Sequence, residues 1–225
     1  MTATIETYAP PALLYRFRKI GVAPDFPNQS TRREIEGLNE GRLWCGEYHD
    51  LNDAMEGLYR AGDAARGQPQ WERARTLIRD GKTSVGIACF SEVWQQALMW
   101  AHYADSFKGI CIEYDFRVLR ETLADNTSFS RVSYADQLLD IGSDLENPRR
   151  LAKWILSTKH HSWSYEREWR LFIPERGLVR FDRAAIRRII LGPRMSANVA
   201  QFLEANLSRY HIVRSRVRGY DVEVD

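Results

Sequence analysis

Two carboxylates and a guanidinium stand at alternate positions in the stretch SYEREWRLFIP, Ser164 to Pro174. Strand alternation puts Glu166, Glu168, Arg170 and Phe172 on one face. Tyr165, Trp169, Leu171 and Ile173 take the other, with Arg167 interrupting. On such a strand Glu166 and Glu168 point the same way, about 7 Å apart from a rise of ~3.3 Å per residue. A pair so placed positions a nucleophile and stabilises a developing cation. The competing expectation is a salt bridge to Arg170 or to arginines of a neighbouring strand. Charge patterning alone favours the salt bridge, since charged strand faces are common.

A second candidate is the pair Arg16 and Arg18, on one face of an early strand in LLYRFRKI. Their forked donors match phosphate oxygens. A cross-strand salt bridge to Glu166 and Glu168 would use them equally well, and the two roles are compatible. Ser91, at the end of the apolar run SVGIACFSE, either caps the next helix or faces a pocket. His102 is expected to be a hydrogen-bonded structural histidine. Glu113 and Asp115 are further carboxylates that would complete a carboxylate-only hydrolase site if they met Glu166 and Glu168 in space. Other templates fail: the chain has no GxxxxGK[ST], no GxGxxG after a strand and no GxSxG. His160 and His161 are adjacent, a poor metal pair, and His49 with Asp50 and Asp53 is a loose acidic cluster. No metal is expected.

These groups sit in a chain of 225 residues, 44% hydrophobic and 28% charged, a composition suited to one globular domain. The 32 Lys+Arg against 30 Asp+Glu leave a formal charge of +2, which neither demands nor excludes nucleic acid. Cys45, Cys89 and Cys111 are odd in number and widely spaced, so reduced thiols in the cytoplasm are expected. The start has no signal-peptide pattern, and no apolar run reaches the ~20 residues that span a bilayer. A cytoplasmic protein with no membrane partner is therefore expected.

The elements that must position the candidates read as follows. Residues 1–12 are a loose N-terminal segment. A strand covers LLYRFRKI, and GVAPDFPNQS is a loop. Thr31 to Glu34 form a capping box opening a short helix that stops near Gly41. RLWCGEY is a strand, and QWERARTLIRDG is a helix ending at Gly81. SVGIACFSE is a buried strand, QQALMWAHYADSF a helix and GICIEYD a strand; SRVSYADQLL is ambiguous. Asn147 and Pro148 start a helix. After Ser164–Pro174 and a turn at 175–177, AAIRRIILGP is a strand, Ser196 caps a helix through Asn206, and YHIVRSRVRGY is a last strand. Its arginines suit either phosphate contacts or the charged gatekeepers of an edge strand, and the latter is favoured. The mixture without strict βαβ alternation predicts an α+β single domain with mixed or antiparallel sheets and flanking helices.

LYRFR, RLWCGEYHDLNDAMEG, CFSE…ALMWAHYADSFKGICIEYD and the lysine and tryptophan of STKHHSWSYEREWR together resemble one bacterial family. It is the domain-of-unknown-function family twenty-nine seventy-one, and the resemblance spans roughly Leu14 to Gly192. Where that family has a Phe-Asn-Asp-Pro-Phe-like motif, this chain has Leu51-Asn52-Asp53-Ala54-Met55. The order of motifs also resembles the ADP-ribosyltransferase superfamily of the arginine, serine, glutamate type. Arg16 or Arg18 matches the first-strand arginine. Cys89-Phe90-Ser91 matches a serine-x-serine motif with only its second serine kept, and Glu166-Arg167-Glu168 matches the glutamate pair.

That second resemblance implies a split β-sandwich and NAD as substrate. Glu168 would stabilise the ribose cation and Glu166 would orient or deprotonate the acceptor. Arg16 or Arg18 would hold the pyrophosphate, and Ser91 would fix the ribose or Glu168. Tyr103 or Tyr165 would stack on nicotinamide. The acceptor stays open among protein, nucleic acid, small molecule and water. A toxin or phage-defence setting with an antitoxin or defence partner is implied as well. The alternatives are a non-catalytic binding or sensor module and a nucleic-acid-directed protein.

Overall fold

The computed structural model describes residues 9–21, 26–142 and 145–224. Most of the expected loose N-terminal segment and part of the loop expected at 21–30 lie outside these residues. Among the described residues the strands are β1 (Leu13–Arg18), β2 (Arg42–Cys45), β3 (Gly86–Ser91), β4 (Ile110–Asp115), β5 (Ser128–Arg131), β6 (Ser133–Ala135), β7 (Thr158–His160), β8 (Glu168–Ile173), β9 (Gly177–Arg180), β10 (Ile186–Leu191), β11 (Ile212–Arg218) and β12 (Asp221–Val224). The helices are α1 (Gln29–Glu40), α2 (Asp63–Arg66), α3 (Trp71–Ser84), α4 (Ala97–Tyr103), α5 (Phe116–Thr122), α6 (Pro148–Ile155) and α7 (Ala197–Asn206). The class is α+β, as expected.

Eight strands share one mixed, open sheet in the order β12-β11-β10-β4-β1-β3-β8-β5; β2 pairs with β9 and β6 with β7. The sheet is split near its middle. β1 pairs with β4 over six positions, from Leu13↔Asp115 to Arg18↔Ile110. Its pairing with β3 is confined to Tyr15↔Ser91. β3 in turn pairs with β8 from Gly86↔Ile173 to Ser91↔Glu168. Two well-paired halves therefore touch at one residue pair and part beyond it.

Alternation on β1 sends Leu14 into the main core with Ile112, Leu171 and Ile189, covered by α1, α5 and α7. Tyr15 and Phe17 go to the opposite face, under Met99 and Trp100 of α4. A satellite cluster under α2, α3 and α6 packs Ala65, Ala74, Ile78, Leu151 and Ile155.

Several boundaries differ from the sequence reading. The cap of α1 is Asn28, whose side chain accepts the Thr31 N–H at 2.9 Å. Glu34 is not its capping-box partner, because Arg18 takes that carboxylate. The helix does stop at Gly41, whose φ of 65° costs glycine little. α3 runs through Gly81 to Ser84, since a glycine inside a packed helix is tolerated when α6 presses against it; a Cβ there would meet that of Ala152 at 3.0 Å. α4 ends at Tyr103, and Asp105, Ser106 and Phe107 follow with positive φ. The ambiguous stretch 130–139 supplies the end of β5 and all of β6, and β7 follows α6 where only helix-start chemistry was legible. β11 is not an edge strand: it lies between β10, which it meets in parallel, and β12. Ser196 stands at the N-cap of α7 without a side-chain capping bond.

Candidate functional site

The expected strand from Ser164 does not begin there. His161–Glu166 is a 3-10 turn, closed by Arg167 in the left-handed region at φ 44°, and β8 starts at Glu168. The reason is the partner strand: β3 ends at Ser91, opposite Glu168, so residues 164–167 have no ladder to join. Other groups satisfy that backbone. The Ser91 hydroxyl donates to the Glu166 carbonyl at 2.6 Å, and the Glu168 N–H donates to the Tyr134 hydroxyl at 2.8 Å. Glu166 and Glu168 meet through this turn, not through alternation.

What joins them is Lys159 on β7. Its ammonium lies 2.6 Å from Glu166, 3.4 Å from Glu168 and 3.7 Å from Glu56. Arg170 completes the cluster. Its Nε and Nη2 donate to the two oxygens of Glu168 at 2.7 and 3.0 Å. Its Nη1 and Nη2 donate to Glu56 at 2.9 and 2.6 Å, and Nη1 also reaches the Leu156 carbonyl at 2.6 Å. All five side chains are buried. Three carboxylates share two cations, so the cluster carries one excess negative charge.

The environment separates the two glutamates. Burial pushes Glu168 up, but Arg170 and then Lys159 overcome it and hold the carboxyl at about 2. The Cys89 thiol adds a smaller contribution in the same direction. Burial pushes Glu166 above the usual carboxylate range, with Lys159 opposing and Glu168 adding to the rise. The Tyr103 hydroxyl donates to Glu166 at 2.5 Å. Burial and that carboxylate push the phenol far up, so it stays a donor.

A cavity of about 450 Å³ opens where β1 and β3 part. Arg16 and Arg18 line one wall, and Ser91, Tyr103, Glu166 and Glu168 line it as well. Arg16 is buried, donates to the Trp44 carbonyl at 2.9 Å and lies over the Phe90 ring. Among the described residues it forms no ion pair. Arg18 pairs with Glu34 at 2.6 Å. The expected salt bridge from these arginines to Glu166 and Glu168 is thus absent among the described residues, and the one from Glu168 to Arg170 is present. Tyr165 lies outside the cavity lining, packed against Trp163 and His102 with ring centroids 6.1 and 6.5 Å away. His102 is exposed at the cavity, against the rings of Tyr103, Trp163 and Tyr165.

Glu113 and Asp115 do not join the glutamates. Glu113 pairs with Arg188 at 2.8 Å, and Asp115 caps α5 by accepting the Val118 N–H at 3.1 Å. Among the described residues no cluster of histidine, cysteine, aspartate or glutamate could hold a metal, and no helix is long and apolar enough to cross a membrane. Glu56 and Lys159 were missed as site residues. Glu56 lies in a loop without periodicity. For Lys159 the one signal was its place in the family resemblance.

Residues 99–171 match the family described as protein of unknown function (DUF2971). The chain resembles the DUF2971 family. The DUF2971 segment runs from α4 to β8 and carries Tyr103, Lys159, Glu166, Glu168 and Arg170, while Arg16, Glu56 and Ser91 lie before it. No curated protein and no solved structure matches the chain.

Proposed function

We propose that the protein cleaves the nicotinamide–ribose bond of NAD and passes the ADP-ribose to an acceptor. The observation that carries this reading is the polarity of the cleft between β1 and β3: arginines on the β1 wall and an ionised glutamate at the head of β8. Arg16, free of any carboxylate among the described residues, suits the pyrophosphate. In the reaction the C1′–N bond breaks, its electron pair neutralises the pyridinium, and positive charge moves to the ribose. Glu168, held ionised in a buried setting, is a fixed negative charge for that cation. The acceptor attacks C1′ and its proton passes to Glu166, which burial makes a stronger base than an ordinary carboxylate. Water as acceptor makes the protein an NAD glycohydrolase. An enzyme that consumes NAD in the cytoplasm suits a toxin or defence effector restrained by a partner protein.

A second reading, a binding module without chemistry, is favoured by one observation: Arg170 already occupies both oxygens of Glu168. Nicotinamide release from NAD by purified protein, with cell lysate as a source of acceptors, separates the two. The expected result is release that falls about 10²–10³-fold in Glu168→Gln, the loss typical of removing one preorganised electrostatic group. Circular dichroism establishes that the variant folds. Full activity of folded Glu168→Gln overturns the proposed chemistry. NAD binding without release by the wild type selects the binding module.

A further inference from the structure

The proposed chemistry uses the Ser91 end of the cavity. The other end lies four residues back along β3, about 13 Å away at strand rise. There Gly46 exchanges backbone hydrogen bonds with Ile87, at 2.9 and 2.8 Å. Trp44 lines the cavity on this side. Its neighbours Leu43 and Cys45 turn into the core, so alternation sends the indole outward, and the residue is 52% exposed. A Cβ placed on Gly46 would stand 3.5 Å from the indole Nε1, so the ring leans toward the Gly46 end. Across the ribbon Leu178 is paired with Trp44 and is 55% exposed. By contrast Trp94, Trp100 and Trp169 are buried. The carbonyl of Trp44 accepts from the Arg16 guanidinium, which ties the Trp44 backbone to the candidate phosphate ligand.

We infer that Trp44 is a stacking platform for the purine base of a nucleotide whose phosphates bind Arg16. A flat, exposed ring and a buried guanidinium that forms no ion pair among the described residues, both lining one cavity, match a base attached to a phosphate. Arg16 lies over the Phe90 ring, next to Ser91, so phosphates held there lead from the Trp44 end of the cavity to the Ser91 end, where the second half of a dinucleotide would lie. The inference rests on the NAD reading for the identity of that second half only. For the first half it predicts AMP as a sufficient ligand.

The test is binding of AMP, nicotinamide mononucleotide and NAD to the full chain, measured by calorimetry for wild type, Trp44→Ala and Trp44→Phe. Base–aromatic stacking predicts that Trp44→Ala weakens AMP and NAD about tenfold or more and leaves nicotinamide mononucleotide unchanged, while Trp44→Phe retains most of the affinity. Equal AMP affinity in wild type and Trp44→Ala overturns the platform, as does a wild type that does not bind AMP. The two proposals fail separately. Trp44-dependent AMP binding in a protein that never releases nicotinamide keeps the platform and removes the transferase. Nicotinamide release with AMP binding indifferent to Trp44 does the reverse.

Discussion

Arg170 is the residue on which the charged cluster turns. It is fully buried and shared between Glu56, Glu168 and a backbone carbonyl. Removing one partner of a buried ion pair leaves charge uncompensated, which costs ~3–5 kcal/mol. Arg170→Met is expected to lose that much in urea unfolding. Arg170→Lys, which keeps the charge without the planar fork, is expected to fall between it and wild type. A Met variant as stable as wild type would mean that the cluster is not a structural element. Lys159 differs in kind. Burial disfavours its charge, but Glu168 and Glu166 raise its affinity for a proton, so it stays an ammonium that orients both.

At the scale of elements, the loop between β2 and α3 brings Glu56 to the cluster. It is held by Lys82, which donates to the Gly57 carbonyl at 2.8 Å and lies over the rings of Tyr48 and Tyr59. Gly57 has φ 72°, and a Cβ there would meet the Tyr48 ring at 3.0 Å. Gly57→Ala is expected to cost ~1–2 kcal/mol from the left-handed backbone alone. A thermal melt unchanged from wild type would contradict this. Removing the cap of α1 by Asn28→Ala is expected to cost ~1 kcal/mol in the same assay. The loop entered the sequence reading only through the family resemblance and its role was not legible, because it has no apolar period and its ordering partners, Lys82, Lys159 and Arg170, lie on α3, β7 and β8. The helix cap was misplaced for a related reason: Thr31 has the right chemistry, but its hydroxyl serves Gly21 and Asn28 instead.

The whole molecule registers the cluster through its pH dependence. Glu168 is held at about 2 against an ordinary 4.5, so its contribution is present above 4.5 and is lost as pH falls from there through 2. At ~1.4 kcal/mol per pH unit this amounts to ~3 kcal/mol. Glu166 has the opposite sign. Its raised pKa favours the folded state below 4.5, and that contribution is lost as pH rises through the folded value. Urea unfolding from pH 7 to 2 is therefore expected to show acid destabilisation that is much reduced in Glu168→Gln. An unchanged acid limb in that variant would place the effect elsewhere.

By itself the sequence determined the fold class, the buried strands β1, β3, β4 and the body of β8, and the type of each charged residue on them. Alternation and apolar runs are local, and a strand's faces follow from its own residues. Tertiary structure decided which charges meet. Glu166 stands beside Glu168 because β3 ends at Ser91 and forces a turn, and Lys159 and Glu56 arrive from segments with no period to read. The cleft itself is a non-local event: β1 follows β4 over its length and leaves β3 after one pair, and that choice places Arg16 across a cavity from Glu168.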